Sequence, residues 1–297
     1  MKLSIHPVAA QDVPEGIPSL NVLVALDGSP AAATALPVSR ILASQLGAQV
    51  TALHVAPVAL DPAEARRRLN LDTEDTRDIR IILRVGDPVA EIVRAANDKS
   101  VTLLAMAACA AHSVRPLASV TLSVLRDADR PVVLVRPELV LGNESALRPV
   151  HRLLLPVDGS PTTARALRSA AELAQGLGAS IDLLYVAGSE RGEAERGSIS
   201  VPRYVDQPHH EWPLWSEEVI DRLTRCLARC PEEVPVELFL AIGDPRAEIV
   251  RFAAEHQEDA LVLVRRSQLE PGRGKILWHL FEKSPLSMIF VVSPYRR

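Results

Sequence analysis

Two kinds of short cluster in the sequence carry residues that could bind a ligand. Carboxylates follow apolar runs in Asp27-Gly-Ser-Pro and Asp158-Gly-Ser-Pro, where an acid could hold a ligand hydroxyl or cap a helix. A basic, glycine-containing stretch from Pro271 to Lys275 precedes a predicted helix and could form an anion-binding nest. This stretch does not match the Walker pattern of P-loop enzymes, and its alternative is a solvated surface turn.

Metal binding and catalysis are both disfavoured. Cys226 and Cys230 are four residues apart on a predicted helix, downstream of His209 and His210, so these groups could surround zinc. Structural zinc pairs more often use closely spaced cysteines in turns, so we predict semi-buried thiols and no metal. The sequence shows no Ser-His-Asp order, His-Glu-x-x-His motif or paired carboxylates at recognisable spacing. We therefore expect no catalytic residue and no enzyme.

Composition narrows the class of protein and its partners. The chain has 297 residues, 47% of them hydrophobic, which favours two domains. A net charge of −4, scattered basic residues and 3% aromatics argue against nucleic-acid partners. No apolar run approaches the roughly 18 residues of a membrane helix, so no membrane association is expected. Three cysteines, an odd count, indicate a reducing compartment, and we predict a cytoplasmic protein.

Most of the chain is an internal duplication. VLVALDGSPAAATAL from Val22 matches LLLPVDGSPTTARAL from Leu153, 131 residues later. GDPVAEIVRAA from Gly86 matches GDPRAEIVRFA from Gly243, 157 residues later, so the second copy holds 26 extra residues. We place this insertion at about 187–218. The predicted organisation is a tail at 1–19, a first domain at 20–137, a linker at 138–150 and a second domain at 151–297.

Apolar runs and helical spacing alternate within each copy. In the first copy they predict strands at 21–27, 49–55, 79–85, 101–107 and 131–135, and helices at 31–46, 88–98 and 118–128. Pro37 should kink the first helix or weaken one of its hydrogen bonds. Asp87 and Asp244 are predicted helix caps. Strands that are apolar on both faces and separated by helices indicate an α/β fold. We predict two tandem five-stranded parallel-sheet domains with helices on both faces.

The duplicated motifs resemble the universal stress protein family over nearly the whole chain, twice. VALDGSP and PVDGSP after the first strands, LGAQVTALHVAP and LGASIDLLYVAG, and the two GDP-x-x-E-I-V blocks carry the resemblance. It implies an adenine nucleotide alpha hydrolase-like fold. In nucleotide-binding members, the Asp after the first strand and the backbone ending the second strand hold adenosine. This implies a candidate nucleotide pocket at Asp27 and Val55, with Asp158 and Val186 in the second copy.

The family's phosphate-binding glycines are replaced here. In the first copy their positions fall on Ala107, Ala110 and Ala118, and only Ser119 of the phosphate group remains. In the second copy they fall on Val264, Ser267 and Lys275, with Ile276 in place of the serine. Side chains at these positions should crowd a triphosphate, which needs bare backbone amides.

The resemblance leaves two functions open. The first is a non-catalytic stress-response or regulatory protein with no cofactor, which acts through partner contacts or through a ligand other than ATP. The second is an ATP- or AMP-binding sensor that uses the first-copy pocket. The final strands, 131–135 and 288–292, would be exposed apolar edges and should pair, as the family's dimer contact implies. The chain would then be its own pseudo-dimer. Further pairing into a homodimer and binding of other proteins stay open.

Overall fold

Residues 20–71, 78–108, 119–143, 147–158, 160–187, 234–265 and 275–292 are described by the computed structural model of the chain. The predicted tail and nearly all of the predicted insertion lie outside these residues. The cysteine and histidine pairs considered for zinc also lie outside them. Within the described part, no group of three or more potential metal ligands occurs and no helix is long and apolar enough to cross a membrane.

Strands and helices alternate along the described chain. Their bounds are β1 (Asn21–Ala25), α1 (Pro30–Ala33), α2 (Ala35–Leu46), β2 (Gln49–Ala56), α3 (Pro62–Leu69), β3 (Ile79–Val85), α4 (Pro88–Ala96), β4 (Val101–Ala107), α5 (Ser119–Asp127), β5 (Val132–Val135), α6 (Pro137–Val140), β6 (Arg152–Val157), α7 (Pro161–Leu177), β7 (Ser180–Ala187), β8 (Val236–Ile242), α8 (Pro245–Glu255), β9 (Ala260–Val264), α9 (Lys275–Lys283) and β10 (Met288–Val292).

The ten strands within the described residues form one sheet in the order β3-β2-β1-β4-β5-β10-β9-β6-β7-β8. Strands within each half are parallel, whereas β5 and β10 pair antiparallel, with Met288 opposite Val135. The predicted α/β class and the predicted pairing of the two final strands are confirmed. Because the halves run in opposite directions, the carboxyl ends of their parallel strands lie at opposite ends of the sheet.

Alternating side chains divide the interior into two layers. One buried cluster joins α2 and α7 to one face of the sheet, and the other joins α4, α5, α8 and α9 to the opposite face. Each layer contains residues of both halves, so the core is continuous across the β5–β10 seam. This explains the apolar strands seen in the sequence, since the central strands are covered on both faces, whereas the residues of β3 and β8 at the sheet edges are only partly buried or exposed.

The first predicted helix is divided at Thr34. The Thr34 amide bonds to the carbonyls of Ala31 and Ala32, and α2 restarts at Ala35. Pro37 has no N–H to donate to Ala33, and its ring crowds that carbonyl, so the helix breaks one turn before the proline. The predicted effect of Pro37 is therefore confirmed.

Arginines from each half cap a helix of the other half. The Arg265 guanidinium donates to the carbonyls of Leu125, Arg126 and Ala128 at the end of α5, at 3.1, 2.8 and 2.6 Å. Arg136 donates to the Ser284 carbonyl just after α9, although only 5% of Arg136 is exposed. Cations at helix C-termini stabilise the orphan carbonyls and the helix dipole, so these contacts reinforce the seam.

A glutamine and a glycine make the second contact between the halves, where α2 meets α7. Gln45 donates to the carbonyls of Val150 and Leu177, and its own carbonyl accepts from the Val150 amide at 2.9 Å. At the matching position of the second copy, a Cβ on Gly176 would stand 2.9 Å from the Leu46 side chain. Gly176 therefore lets α2 and α7 approach closely, and Gln45 holds the chain that enters β6 by hydrogen bonds.

Candidate functional site

The structure brings the predicted adenosine-binding residues together at the carboxyl ends of neighbouring strands. Asp27 follows β1, which lies between β2 and β4, so Val55 and Ala107 reach the same end of the sheet. Asp158, Val186 and Val264 have the same arrangement around β6. The strand order reverses at β1 and at β6, and such switch points are where open α/β sheets bind ligands.

In the first half, Asp27 forms part of a tight turn into α1. Its carboxylate accepts from the Ser29 amide at 2.8 Å, while the Ser29 hydroxyl caps the Ala32 amide at 3.1 Å. Among the described residues, Asp27 has no second hydrogen-bond partner, and its side chain is exposed. One face of this carboxylate is therefore available to a ligand.

In the second half, the corresponding Asp158 is held more firmly. Its carboxylate accepts from the Ser160 amide at 3.1 Å and from the Thr163 hydroxyl at 2.6 Å. Thr163 occupies the position of Ala32, which has no hydroxyl to offer. The duplicated motif predicts the same role for the two aspartates, so this difference between the halves was missed.

A residue near the end of the second strand also differs between the halves. His54 is 7% exposed, and its Nδ1 lies 2.8 Å from the Leu26 carbonyl, so this nitrogen carries the hydrogen. In the second half the position is Tyr185. Burial, followed by the nearby Asp158 carboxylate, raises the pKa of the Tyr185 hydroxyl. A neutral phenol therefore stands near Asp158, where the first half has an imidazole.

The first glycine-replacing residues lie at the ends of the central strands. Ala107 ends β4 and Val264 ends β9, and both are partly exposed. The amides that follow them bond within the sheet, from Ala108 to the Val135 carbonyl at 2.7 Å and from Arg265 to the Val292 carbonyl at 2.8 Å. These two amides therefore have sheet partners in both halves.

The other predicted phosphate-site residues are described only in part. Ser119 begins α5, and Lys275 and Ile276 begin α9. Ala110, Ala118, Ser267 and the basic loop before Lys275 lie outside the described residues. Their effect on a bound phosphate stays a prediction.

A small groove lies beside β2 and β3. Its lining includes His54, Ala56, Leu83 and Val85, and its volume is about 140 Å³. His54 and Ala56 alternate with Val55, so the groove opens on the other face of the strand from Val55. Because ligand pockets usually measure about 300–1,000 Å³, the groove is too small for a nucleotide.

A buried charged cluster at the amino ends of the second-half strands was not predicted. Arg152 lies 2.5 Å from the Asp182 carboxylate and 3.6 Å from that of Glu258. Glu258 is 1% exposed, and among the described residues neither of its carboxyl oxygens has a hydrogen-bond partner. Burial, and then the adjacent Asp182 carboxylate, raise the pKa of Glu258 to about 8. The corresponding first-half residues, Asn21, Thr51 and Val101, are uncharged.

Comparison with known proteins gives a consistent result. A model of the universal stress protein family matches residues 56–136 and 149–291. A universal stress protein from Archaeoglobus fulgidus DSM 4304 aligns at 18% identity and a TM-score of 0.59, covering 93% of this chain and 98% of that chain. A functionally unknown protein from Pseudomonas aeruginosa PAO1 aligns at 14% identity and a TM-score of 0.59, covering 92% of each chain. No curated protein matches the sequence.

Proposed function

Because the chain belongs to the universal stress protein family, with two matching segments in tandem, we propose that it is a non-catalytic stress-response protein that regulates through protein contacts. In this proposal its phosphate-binding loops are degenerate, and it carries no resident cofactor. We place it in the cytoplasm, because its odd number of cysteines argues for a reducing compartment.

The observation that carries the proposal is the loss of bare backbone at the ends of β4 and β9. Triphosphates bind where glycines let several amides converge on the phosphate oxygens. Here Ala107 and Val264 place side chains at the strand ends, and the next amides bond to Val135 and Val292. Both features leave fewer backbone donors for a phosphate.

The position of Arg265 supports the same proposal. It is the first residue after β9, where a basic side chain could otherwise neutralise a phosphate in the second half. Its guanidinium instead bonds to three carbonyls at the end of α5, in the first half. This cation therefore contributes to assembly of the halves.

A thermal-shift titration with ATP and Mg²⁺ tests this proposal. A ligand present at one hundred times its Kd adds about 2.7 kcal/mol to the free energy of unfolding, which moves the Tm by several degrees. We expect no saturable shift at sub-millimolar ATP. The matched variant Ala107→Gly/Ala110→Gly/Ala118→Gly places glycine at the three first-copy positions where the family has its phosphate-binding glycines. Saturable stabilisation of the unmodified chain would contradict the proposal.

A second candidate function is a nucleotide sensor that uses only the first half. The difference between the two aspartates favours the first half, because the Asp27 carboxylate has one partner among the described residues whereas Asp158 also accepts from Thr163. A nucleoside that makes few phosphate contacts, such as AMP, would be the ligand.

Paired substitutions separate this candidate from the first. In a calorimetric titration with AMP, a sensor should bind one equivalent, lose binding in Asp27→Asn and retain it in Asp158→Asn. Absence of binding in the unmodified chain would eliminate the sensor. Equal losses in the two variants would show that the halves do not differ as proposed.

A further inference from the structure

The ten-stranded sheet ends in two outer strands of equal length. β3 and β8 each contain seven residues, and each pairs on one side only, with β2 and β7 respectively. Among the described residues neither strand has a strand partner on its outer side. Val85 and Ile242, which occupy equivalent positions, are 54% and 50% exposed. Such edges carry unpaired backbone groups that can pair with another chain.

The side chains of both edges keep the same alternation as the sheet. Ile82 and Phe239 pack into the layer that contains α4 and α8. Their neighbours two residues away, Arg84 and Glu237, therefore point to that same face and are exposed.

Charge disfavours the pairing of β3 with β3 and favours the pairing of β3 with β8. An antiparallel pairing of β3 with another β3 in full overlap would place Arg80 opposite Arg84, and like charges directly opposite are destabilising. Pairing β3 with β8 of another copy in full overlap places Arg84 opposite Glu237. The same register places Ile82 opposite Phe239, and Leu83 opposite Leu238.

Strand direction permits this second pairing. The strands of the first half run opposite to those of the second half, as the antiparallel β5–β10 pair shows. A second copy in the same orientation therefore presents an antiparallel β8 beside β3. The face that bears Arg84 then continues directly into the face that bears Glu237.

We propose that the outer edges are a head-to-tail interface, in which β3 (Ile79–Val85) pairs antiparallel with β8 (Val236–Ile242) of a second copy of this chain. Arg84 and Glu237 set the register of the pair, and the arginines of β3 prevent β3 from pairing with itself. Such a contact uses different surfaces on each copy and leaves an unpaired edge at either end of a dimer. The assembly therefore grows with concentration instead of stopping at two chains.

Sedimentation velocity over a range of concentrations tests the interface with charge reversal. We expect the full chain to rise in mass from its 32.2 kDa monomer as concentration increases. Arg84→Glu and Glu237→Arg should each weaken association about tenfold, because attraction becomes repulsion across the strand pair. The double variant, or an equimolar mixture of the two single variants, should restore association, since opposite charges then face each other again.

The matched control is Arg80→Glu, which makes the same charge change on the same strand and face. In the proposed register Arg80 lies opposite Ala241, so this variant should associate at least as well as the unmodified chain. Association of the unmodified chain that Glu237→Arg leaves unchanged would instead indicate β3 pairing with β3 and would overturn the proposal. A chain that stays monomeric at every concentration, or whose association ignores Arg84→Glu, would also overturn it.

Discussion

Among the described residues, Glu258 is the side chain whose protonation should most affect stability. Burial and the neighbouring Asp182 raise its pKa to about 8, against 4.5 for an ordinary glutamate. The folded state therefore holds a proton that the unfolded state releases between these values, so the free energy of unfolding should fall as pH rises from about 4.5 to 8.

Replacing Glu258 with Gln should remove this part of the pH dependence. We expect the variant to gain stability relative to the unmodified chain as pH rises, by roughly 2–4 kcal/mol at pH 8. Urea unfolding at several pH values measures the difference. Glu255→Gln, which changes an exposed glutamate on α8, is the control and should leave the pH profile unchanged. A profile for Glu258→Gln that parallels the unmodified chain would show that folding does not raise the pKa of Glu258.

Single residues were predictable from sequence where their role is local. The caps Asp87 and Asp244 follow from their position before a proline, and the structure shows both accepting helix amides. The bond from Thr163 to Asp158 was equally local and could have been found, since Thr163 stands where the first copy has Ala32. The Arg152–Asp182–Glu258 cluster could not, because three separate segments of the chain bring it together.

At the scale of elements, α3 is held against the first turn by a close backbone contact. Gly28 has φ +90°, and a Cβ at this position would lie 2.4 Å from the Arg68 carbonyl oxygen. Gly28→Ala should therefore cost about 3 kcal/mol or more, from both left-handed strain and displacement of α3.

Gly47→Ala provides the matched control in chemical denaturation. Gly47 has φ +60°, but a Cβ at this position would meet nothing within 4 Å, so only the conformational strain of about 1 kcal/mol should be measured. Equal losses of unfolding free energy in the two variants would show that contact with α3 does not restrict the turn at Gly28.

Two helices within the described ranges were missing from the sequence interpretation. α3 begins at Pro62 after the cap Asp61, the same Asp-Pro signal that correctly placed α4 and α8. We did not predict α3, because it is polar and has no counterpart in the duplicated blocks. α6 is a single turn in the predicted linker, where Val140 is buried. The strands were well predicted because their apolar runs leave a clear pattern, and the bounds of β3 and β4 match the prediction fully.

At the scale of the whole molecule, Arg265 links the two halves at the end of α5. Arg265→Ala should lower the free energy of unfolding by about 2 kcal/mol, since it removes charge-assisted hydrogen bonds to three carbonyls. Arg126→Ala, on the same helix end, removes an exposed pair with Asp127 and should cost less than about 0.5 kcal/mol. Equal effects in urea unfolding would show that the cap does not stabilise the seam.

The duplicated motifs made the tandem architecture and the pairing of the final strands predictable. The asymmetric contacts at Gln45 and Gly176 were not predictable, because each residue is ordinary in its own helix and gains its role only where α2 meets α7. The two halves thus share a backbone plan but differ in the residues that face each other and in the turns that follow β1 and β6.

A crystal structure of the full chain grown with saturating ATP and Mg²⁺ tests the loss of the phosphate site most directly. We expect no ordered triphosphate against the backbone from Ala107 to Ser119 or from Val264 to Lys275. Clear density for three phosphates bound to those main-chain amides would contradict this account.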